Sequence, residues 1–180
     1  DIMNTLKDLC LPNVAFEIAF SDVNYDIDSS FKENGVDIVE FLVSFNLGET
    51  PKPLSKVASG GEMSRVMLAF KTHLLKNAKL STIIFDEIDT GISGEVALAV
   101  ANKIKEISKT TQVLSITHLP IVAASSDQHL LVYKEINKDR TVTNIRQISL
   151  DERIAELAKM ISSKVDEASI QLAKQMIEKF

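Results

Sequence analysis

Two short runs near the start of the chain alternate between apolar and polar residues, as half-buried β-strands do. They cover residues 14–20 and 36–46, and a polar stretch at residues 21–35 separates them. This stretch contains Asn34-Gly35, a dipeptide typical of tight hairpin turns. We therefore predict that the two runs pair as antiparallel strands.

Beyond a connector at residues 48–53, whose prolines interrupt regular structure, strands alternate with helices. Continuous apolar runs predict two strands buried on both faces, at residues 82–85 and 113–116. Periodicity places helices at residues 63–75, 95–107, 151–162 and 166–179, and further strands at residues 130–133 and 142–148. The pattern predicts an α/β fold with a largely parallel sheet, flanking helices and an antiparallel strand pair near the N-terminus.

The helix at residues 63–75 has an apolar side that we expect to face a core. Its members are Val66, Met67, Phe70 and Leu74. Arg65 lies one turn into this helix, and we expect it to face solvent, with a nucleotide or an acidic partner as the alternative. His73 and His129 are assigned structural roles.

At 180 residues the chain can bury one sizeable core. Its net charge of −5 argues against a surface that binds nucleic acid throughout. Cys10 is the only cysteine, which excludes an intrachain disulfide and fits a cytosolic protein. No apolar run approaches the roughly 18 residues that a membrane-spanning helix needs, so no membrane partner is expected.

An acidic pair, Asp86-Glu87, directly follows the apolar run at residues 82–85. An aspartate at the end of a buried strand can hold Mg²⁺ beside nucleotide phosphates. The next residue, Glu87, can then polarise an attacking water as general base. The simpler alternative is that both carboxylates only leave the core and cap a turn.

Ser59, Gly60, Gly61 and Glu62 open the helix that continues through residues 63–75. The two glycines allow close backbone approach, and the start of a helix offers unpaired N–H groups to an anion. Ser59 and Glu62 also fit a capping box, which is the alternative role of the segment. Both roles are compatible, because the cap shapes the same turn that presents the N–H groups.

His118 follows the second buried strand and could contact a γ-phosphate and hold a water, although a single histidine is more often structural. Residues 89–94 form a turn before the next helix, with Ser93 as its candidate N-cap. Ligands of α/β sheets collect at the carboxyl ends of the strands, where both Asp86-Glu87 and His118 are predicted to lie. The sequence contains no P-loop, so these residues predict one half of an ATP-hydrolysing site.

Together these segments resemble the ABC-type ATPase heads of the structural-maintenance-of-chromosomes (SMC) class. Residues 59–62 resemble the signature motif, residues 83–87 the Walker B strand with its catalytic glutamate, and His118 the switch histidine. Longer matches extend the resemblance to the RecN-like family of bacterial DNA repair ATPases: residues 51–62, 85–94 and 116–120.

The resemblance implies a C-terminal head lobe cut from a longer protein, in which an N-terminal Walker A lobe completes the site for ATP and Mg²⁺. It implies an ATP-sandwich homodimer of heads, in which Ser59, Gly60 and Gly61 act in trans. Asp86, as the Mg²⁺ ligand, would act in cis with Glu87 and His118. The expected function is DNA double-strand break repair and recombination, with DNA bound through the full-length assembly. The expected location is the cytoplasm, in association with the nucleoid.

Two positions depart from many ABC heads, which have an aspartate at Ser93 and a glutamine at Glu62; RecN-like sequences share both departures. The expected division is a single lobe, with the end of a preceding helix at residues 1–12, the site at 13–150 and C-terminal helices at 151–180. The alternatives are the head lobe of another SMC/ABC-type chromosome-maintenance ATPase and a dimerisation module that does not hydrolyse ATP.

Overall fold

Helices and strands are distributed over two units, Asp1–Ala78 and Lys79–Phe180. The structure, a computed structural model, describes residues 1–21, 32–33, 35–57, 60–78, 80–137 and 140–180. The division into a single lobe with three segments stays a prediction.

The described residues of the N-terminal unit form three helices and three strands. These are α1 (Ile2–Asp8), β1 (Ala15–Phe20), β2 (Val39–Ser44), β3 (Lys52–Pro53), α2 (Leu54–Val57) and α3 (Gly60–Ala78). Strands β1 and β2 pair antiparallel, as predicted, and β3 adds to the other edge of β2. Of the predicted turn, Asn34 lies outside the described residues, whereas Gly35 has φ 105° and donates its N–H to the Lys32 carbonyl at 3.0 Å.

Three aromatic rings join the antiparallel pair to α3. Phe16, Phe41 and Phe70 lie with ring centroids 5.3–5.6 Å apart. The register pairs Phe16 with Val43 and Ile18 with Phe41, so strand alternation brings these apolar residues to one face of the sheet.

The apolar side predicted for α3 is only partly correct, because Met67 and Leu74 are exposed. This helix buries Val66, Leu68, Ala69 and Thr72. The helix contacts both the β1–β2 face and α1, so its neighbours, rather than its own apolar stripe, decide which positions are covered.

Arg65 does not face solvent as predicted but holds the end of α1. The chain reverses at Cys10, which has φ 60°, and the Leu11 N–H reaches back to the Leu6 carbonyl at 2.9 Å. The carbonyls of Leu9 and Cys10 each accept a hydrogen bond from Arg65 Nη1 at 3.2 Å. The guanidinium thus satisfies carbonyls that the helix leaves without intrahelical donors.

The described residues of the C-terminal unit form four strands and four helices. They are β4 (Thr82–Asp86), α4 (Gly94–Ser108), β5 (Gln112–Ile116), α5 (Pro120–Ala124), β6 (Leu130–Asn137), β7 (Arg140–Gln147), α6 (Leu150–Ile161) and α7 (Glu167–Glu178). Strands β4 and β5 are parallel with α4 between them in sequence, as predicted, and β6 and β7 form an antiparallel hairpin. Residues 138 and 139, between these two strands, lie outside the described residues.

The prediction that β4 and β5 are buried on both faces is wrong for one face. Phe85 is buried, but Ile84 and Ile116 are 58% and 57% exposed, and Leu114 is also exposed. The register aligns Ile84 with Leu114 and Asp86 with Ile116, so these residues share one face of the strand pair. The described residues of this unit leave that apolar face open.

The two C-terminal helices pack on α5. Their shared core contains Ala123, Ala124, Leu157, Ala158 and Ala173, with the flanking apolar residues Ile154, Met160, Ile161, Ile170, Met176 and Ile177. From α6, Arg153 Nη2 donates to the carbonyls of Ala124 and Ser126, each at 2.7 Å, and so caps the end of α5.

Helix α6 begins with a capping box. Glu152 N–H donates to Ser149 Oγ at 3.4 Å, and Ser149 N–H donates to Glu152 Oε2 at 2.9 Å. Hydrogen bonds from Arg146 and then from Ser149 lower the pKa of Glu152 to about 2.

Within the described part of the chain, no helix is long and apolar enough to cross a bilayer.

The α5–α6–α7 core can be tested with two leucines on α6. Leu157 is fully buried, whereas Leu150 is 60% exposed. We expect Leu157→Ala to lower the free energy of unfolding by about 2–5 kcal/mol, because it leaves a cavity. The matched change Leu150→Ala should stay within about 0.5 kcal/mol. Urea unfolding followed by circular dichroism measures both, and equal effects would contradict the packing described.

Candidate functional site

The acidic pair leaves β4 through an uncommon backbone conformation. Asp86 is the last residue of the strand, and Glu87 follows with φ 50°; both side chains are exposed. Few residues other than glycine adopt a left-handed conformation, which turns the chain sharply. The Glu87 carbonyl accepts hydrogen bonds from Thr90 N–H at 3.2 Å and Thr90 Oγ1 at 3.0 Å, which close the turn.

The loop after β5 lies at the same edge of the sheet. Because Asp86 pairs with Ile116, the two parallel strands end at the same level, and Thr117 and His118 follow directly. The strand register therefore places the acidic pair and His118 at the same edge of the sheet. The His118 side chain is 65% exposed.

Asp89, which the sequence interpretation assigned only to a turn, connects the two loops. Its side chain is fully buried, and its Oδ2 accepts hydrogen bonds from Thr117 Oγ1 and from the N–H groups of His118 and Leu119, the latter two at 3.3 Å. His118 Nδ1 lies 3.6 Å from the same oxygen. The sequence contained one sign that Asp89 is buried, because it lies between two apolar residues, Ile88 and Ile92. Both are buried in the structure.

The turn continues to Ser93, which occupies the N-cap position of α4 as predicted. Its backbone is extended, with φ −158°, but its hydroxyl makes no capping hydrogen bond. The side chain is exposed. The hydroxyl is therefore open to solvent rather than committed to the helix.

The signature-like segment belongs to the N-terminal unit, where α3 begins at Gly60. Gly60 is exposed, and a Cβ added there would meet no atom within 4 Å. Gly61 is buried, and Glu62 is half-buried in the first helical turn. Ser59 lies outside the described residues, so its capping box stays a prediction. Among the described residues, nothing fills the space beside Gly60, where an anion or a partner could approach.

The other two histidines have surroundings that fit structural roles. His73 Nε2 lies 2.9 Å from Thr5 Oγ1 on α1. Burial, followed by the positive charge of Arg153, lowers the pKa of His129 below its usual range, against a smaller opposing effect of Glu156. A half-buried histidine whose charged form is disfavoured fits a role in packing.

Comparison with solved structures places the fold. An Smc head domain with coiled coil and joint from Pyrococcus yayanosii superposes with a TM-score of 0.67 at 20% identity, over 89% of this chain and 28% of that chain. A chain described under ATP-driven dimerization and DNA-stimulated activation of SMC ATPases gives a TM-score of 0.60 at 21% identity, over 91% of this chain and 90% of that chain. The fold is that of an SMC head domain.

Sequence relatives identify the family within that class. DNA repair protein RecN of Halalkalibacterium halodurans is 44% identical over 98% of this chain. RecN of Bacillus subtilis is 49% identical over 81% of it. The chain belongs to the RecN family and corresponds to the C-terminal part of RecN. It spans 31% and 26% of the length of these two relatives. No family model matches the chain.

The left-handed conformation of Glu87 predicts a gain in stability on substitution by glycine. Such a conformation costs a non-glycine residue about 1–2 kcal/mol, part of which glycine loses again through its freedom in the unfolded chain. We expect Glu87→Gly to raise the free energy of unfolding by up to about 1 kcal/mol.

Glu49 is the control for this substitution, because it is an exposed loop residue whose φ is not positive. Glu49→Gly should lower stability slightly. Thermal unfolding compares the two variants. A loss of stability in Glu87→Gly as large as in Glu49→Gly would show that residue 87 carries no backbone strain.

Proposed function

We propose that this chain is the C-terminal half of an ATP-hydrolysing, SMC-like head that dimerises on ATP and acts in DNA double-strand break repair and recombination. The observation that carries the proposal is the placement of Asp86, Glu87 and His118 at one edge of a parallel strand pair. This edge is where α/β sheets bind ligands. Membership of the RecN family supports the DNA repair context. In this proposal the full-length protein acts in the cytoplasm, associated with the nucleoid.

Each residue at this edge has a chemical task in the proposal. Glu87, exposed beside the strand end, polarises the water that attacks the γ-phosphate. His118, also exposed, contacts that phosphate and holds the water. In the SMC class the nucleophile is water, so positioning and electrostatic stabilisation supply most of the catalysis.

Asp86 is the proposed Mg²⁺ ligand. Among the described residues no group of three or more acidic, histidine or cysteine side chains could hold a metal by itself. Mg²⁺ is commonly bound by one or two carboxylates together with phosphate oxygens and water. When bound, the ion neutralises charge that develops on the transferred phosphoryl group.

The proposed partners follow from what the chain presents. The chain has no P-loop in its sequence, so a separate Walker A lobe must bind the β- and γ-phosphates of ATP. We place this lobe in the N-terminal part of the same protein. The open apolar face at Ile84, Leu114 and Ile116 supports an additional layer there. Gly60, Gly61 and the preceding Ser59 would meet the nucleotide of a second head, with Ser93 facing the same interface.

Substitution of Glu87 tests the assignment of the base. In full-length RecN containing this chain, Glu87→Gln should reduce kcat for ATP hydrolysis by about 10²–10⁴-fold, because the amide cannot accept the proton. ATP-bound dimers, measured by size-exclusion chromatography with light scattering, should persist. Glu95→Gln on α4 is the matched control and should leave kcat unchanged. Hydrolysis near the wild-type rate in Glu87→Gln would remove Glu87 from this role.

The division of the site between two lobes has its own test. This chain should hydrolyse ATP negligibly by itself and gain activity when the separately produced N-terminal lobe is added. Turnover by the chain alone would show that it contains a phosphate-binding element of its own. No turnover in the mixture, with both lobes folded and bound to each other, would favour the alternative of a dimerisation module without hydrolysis.

A further inference from the structure

We propose that Asp89 is a positioning residue for His118, which fixes the loop after β5 and selects the ring tautomer with the proton on Nδ1. Nε2 is then the ring nitrogen that faces the reactants. The geometric part of the proposal stands on this chain alone. Its consequence for ATP hydrolysis rests on the proposed function.

The first step of the argument is that Asp89 is committed to one loop. Its carboxylate is fully buried, and all three of its hydrogen-bond donors belong to residues 117–119. Within the described part of the chain, His118 is the one chargeable basic side chain within 4.0 Å of this carboxylate. Oδ1 has no hydrogen-bond partner among the described residues, so the carboxylate retains acceptor capacity. The donors hold the backbone of His118 so that its ring lies beside the negative carboxylate.

The second step concerns the ring. His118 Nδ1 lies 3.6 Å from Asp89 Oδ2, on the side of the ring that faces the protein, while most of the side chain is exposed. An ionised carboxylate only accepts hydrogen bonds. An unprotonated Nδ1 would therefore direct its lone pair at a negative oxygen, whereas a protonated Nδ1 is attracted to it. A neutral ring carries one proton, so an attraction that favours it on Nδ1 leaves Nε2 without one.

The third step is what this tautomer provides. In the neutral ring, Nε2 carries a lone pair and can accept a hydrogen bond from the attacking water. In the protonated ring, Nε2 donates to a phosphate oxygen while Asp89 stabilises the positive charge. A buried carboxylate that orients a histidine without reacting itself is an established catalytic arrangement. Asp89 would act in this way through His118 and not on the nucleotide.

The loop is also held at its far end. Leu119 is the N-cap of α5, and its N–H donates to Thr117 Oγ1 at 3.0 Å as well as to Asp89. The last turn of α5 is capped by Arg153. The segment that carries His118 therefore has a fixed anchor on each side.

Nuclear magnetic resonance of this chain tests the geometric part without nucleotide. Long-range ¹H–¹⁵N spectra, recorded at a pH where His118 is neutral, should show mainly the Nδ1–H tautomer. In Asp89→Asn the ratio of Nδ1–H to Nε2–H should fall by about tenfold, because the attraction of Nδ1–H to a negative carboxylate is replaced by a weaker one to a neutral amide. Asp127→Asn, which removes the exposed partner of Lys105, is the matched control and should leave the ratio unchanged.

A second pair of variants keeps the test decisive if Asp89→Asn does not fold. Thr117→Val removes the hydroxyl that bonds both Asp89 and Leu119, so amide hydrogen exchange at Leu119 should accelerate. Thr117→Ser, which keeps the hydroxyl, should restore slow exchange. A predominant Nε2–H tautomer in the wild-type chain would overturn the proposal, as would an unchanged tautomer ratio in folded Asp89→Asn.

Kinetics in full-length RecN containing this chain test the consequence. Asp89→Asn should lower kcat by about 10- to 100-fold with KM for ATP nearly unchanged, because misplacement of a reacting group affects the transition state. The double variant with His118→Ala should be no slower than His118→Ala alone, since Asp89 acts through His118. Additive losses would overturn this role. Nδ1–H in the isolated chain together with no ATPase activity in the full-length protein would instead refute the proposed function.

Discussion

The buried carboxylate of Asp89 is the interaction on which the geometry of the site depends. Removing a carboxylate from water is costly unless donors replace its hydration. Here the donors all come from the loop after β5, so that loop cannot move away without leaving the charge unsatisfied. The acidic pair after β4 and His118 after β5 are consequently held as one arrangement. The shared edge of two parallel strands brings these loops near, and Asp89 fixes them.

Two arginine side chains donate hydrogen bonds to carbonyls at the ends of short helices. A helix of five or seven residues is not stable by itself, because nucleation costs more than so few hydrogen bonds return. Arg65 reaches the last carbonyls of α1, and Arg153 reaches those of α5. Burial lowers the pKa of Arg153, against the smaller effect of Asp127. The cap that Arg153 places on α5 also stabilises the loop before this helix, which contains His118.

The open apolar face beside the site connects the fold to the proposed assembly. Ile84, Leu114 and Ile116 lie on the same face as Asp86, so whatever covers that face also approaches the proposed Mg²⁺ ligand. Such a face is costly to leave in water. The Walker A lobe proposed from the missing P-loop would satisfy both needs, since it would cover the apolar residues and supply the phosphate cradle.

The sequence by itself determined the strand pair β1–β2, the β4–α4–β5 unit and the final helices, because period and turn residues are local signals. It also placed Asp86, Glu87 and His118 at strand ends, since motif spacing follows element boundaries. Burial of β4 and β5 and the exposed side of α3 were predicted incorrectly, because burial depends on which elements pack nearby. Only the tertiary structure showed Asp89 as the link to His118 and Arg65 as the cap of α1. The hydrogen bonds that define these roles join residues 29 and 56 positions apart, and no local pattern encodes them.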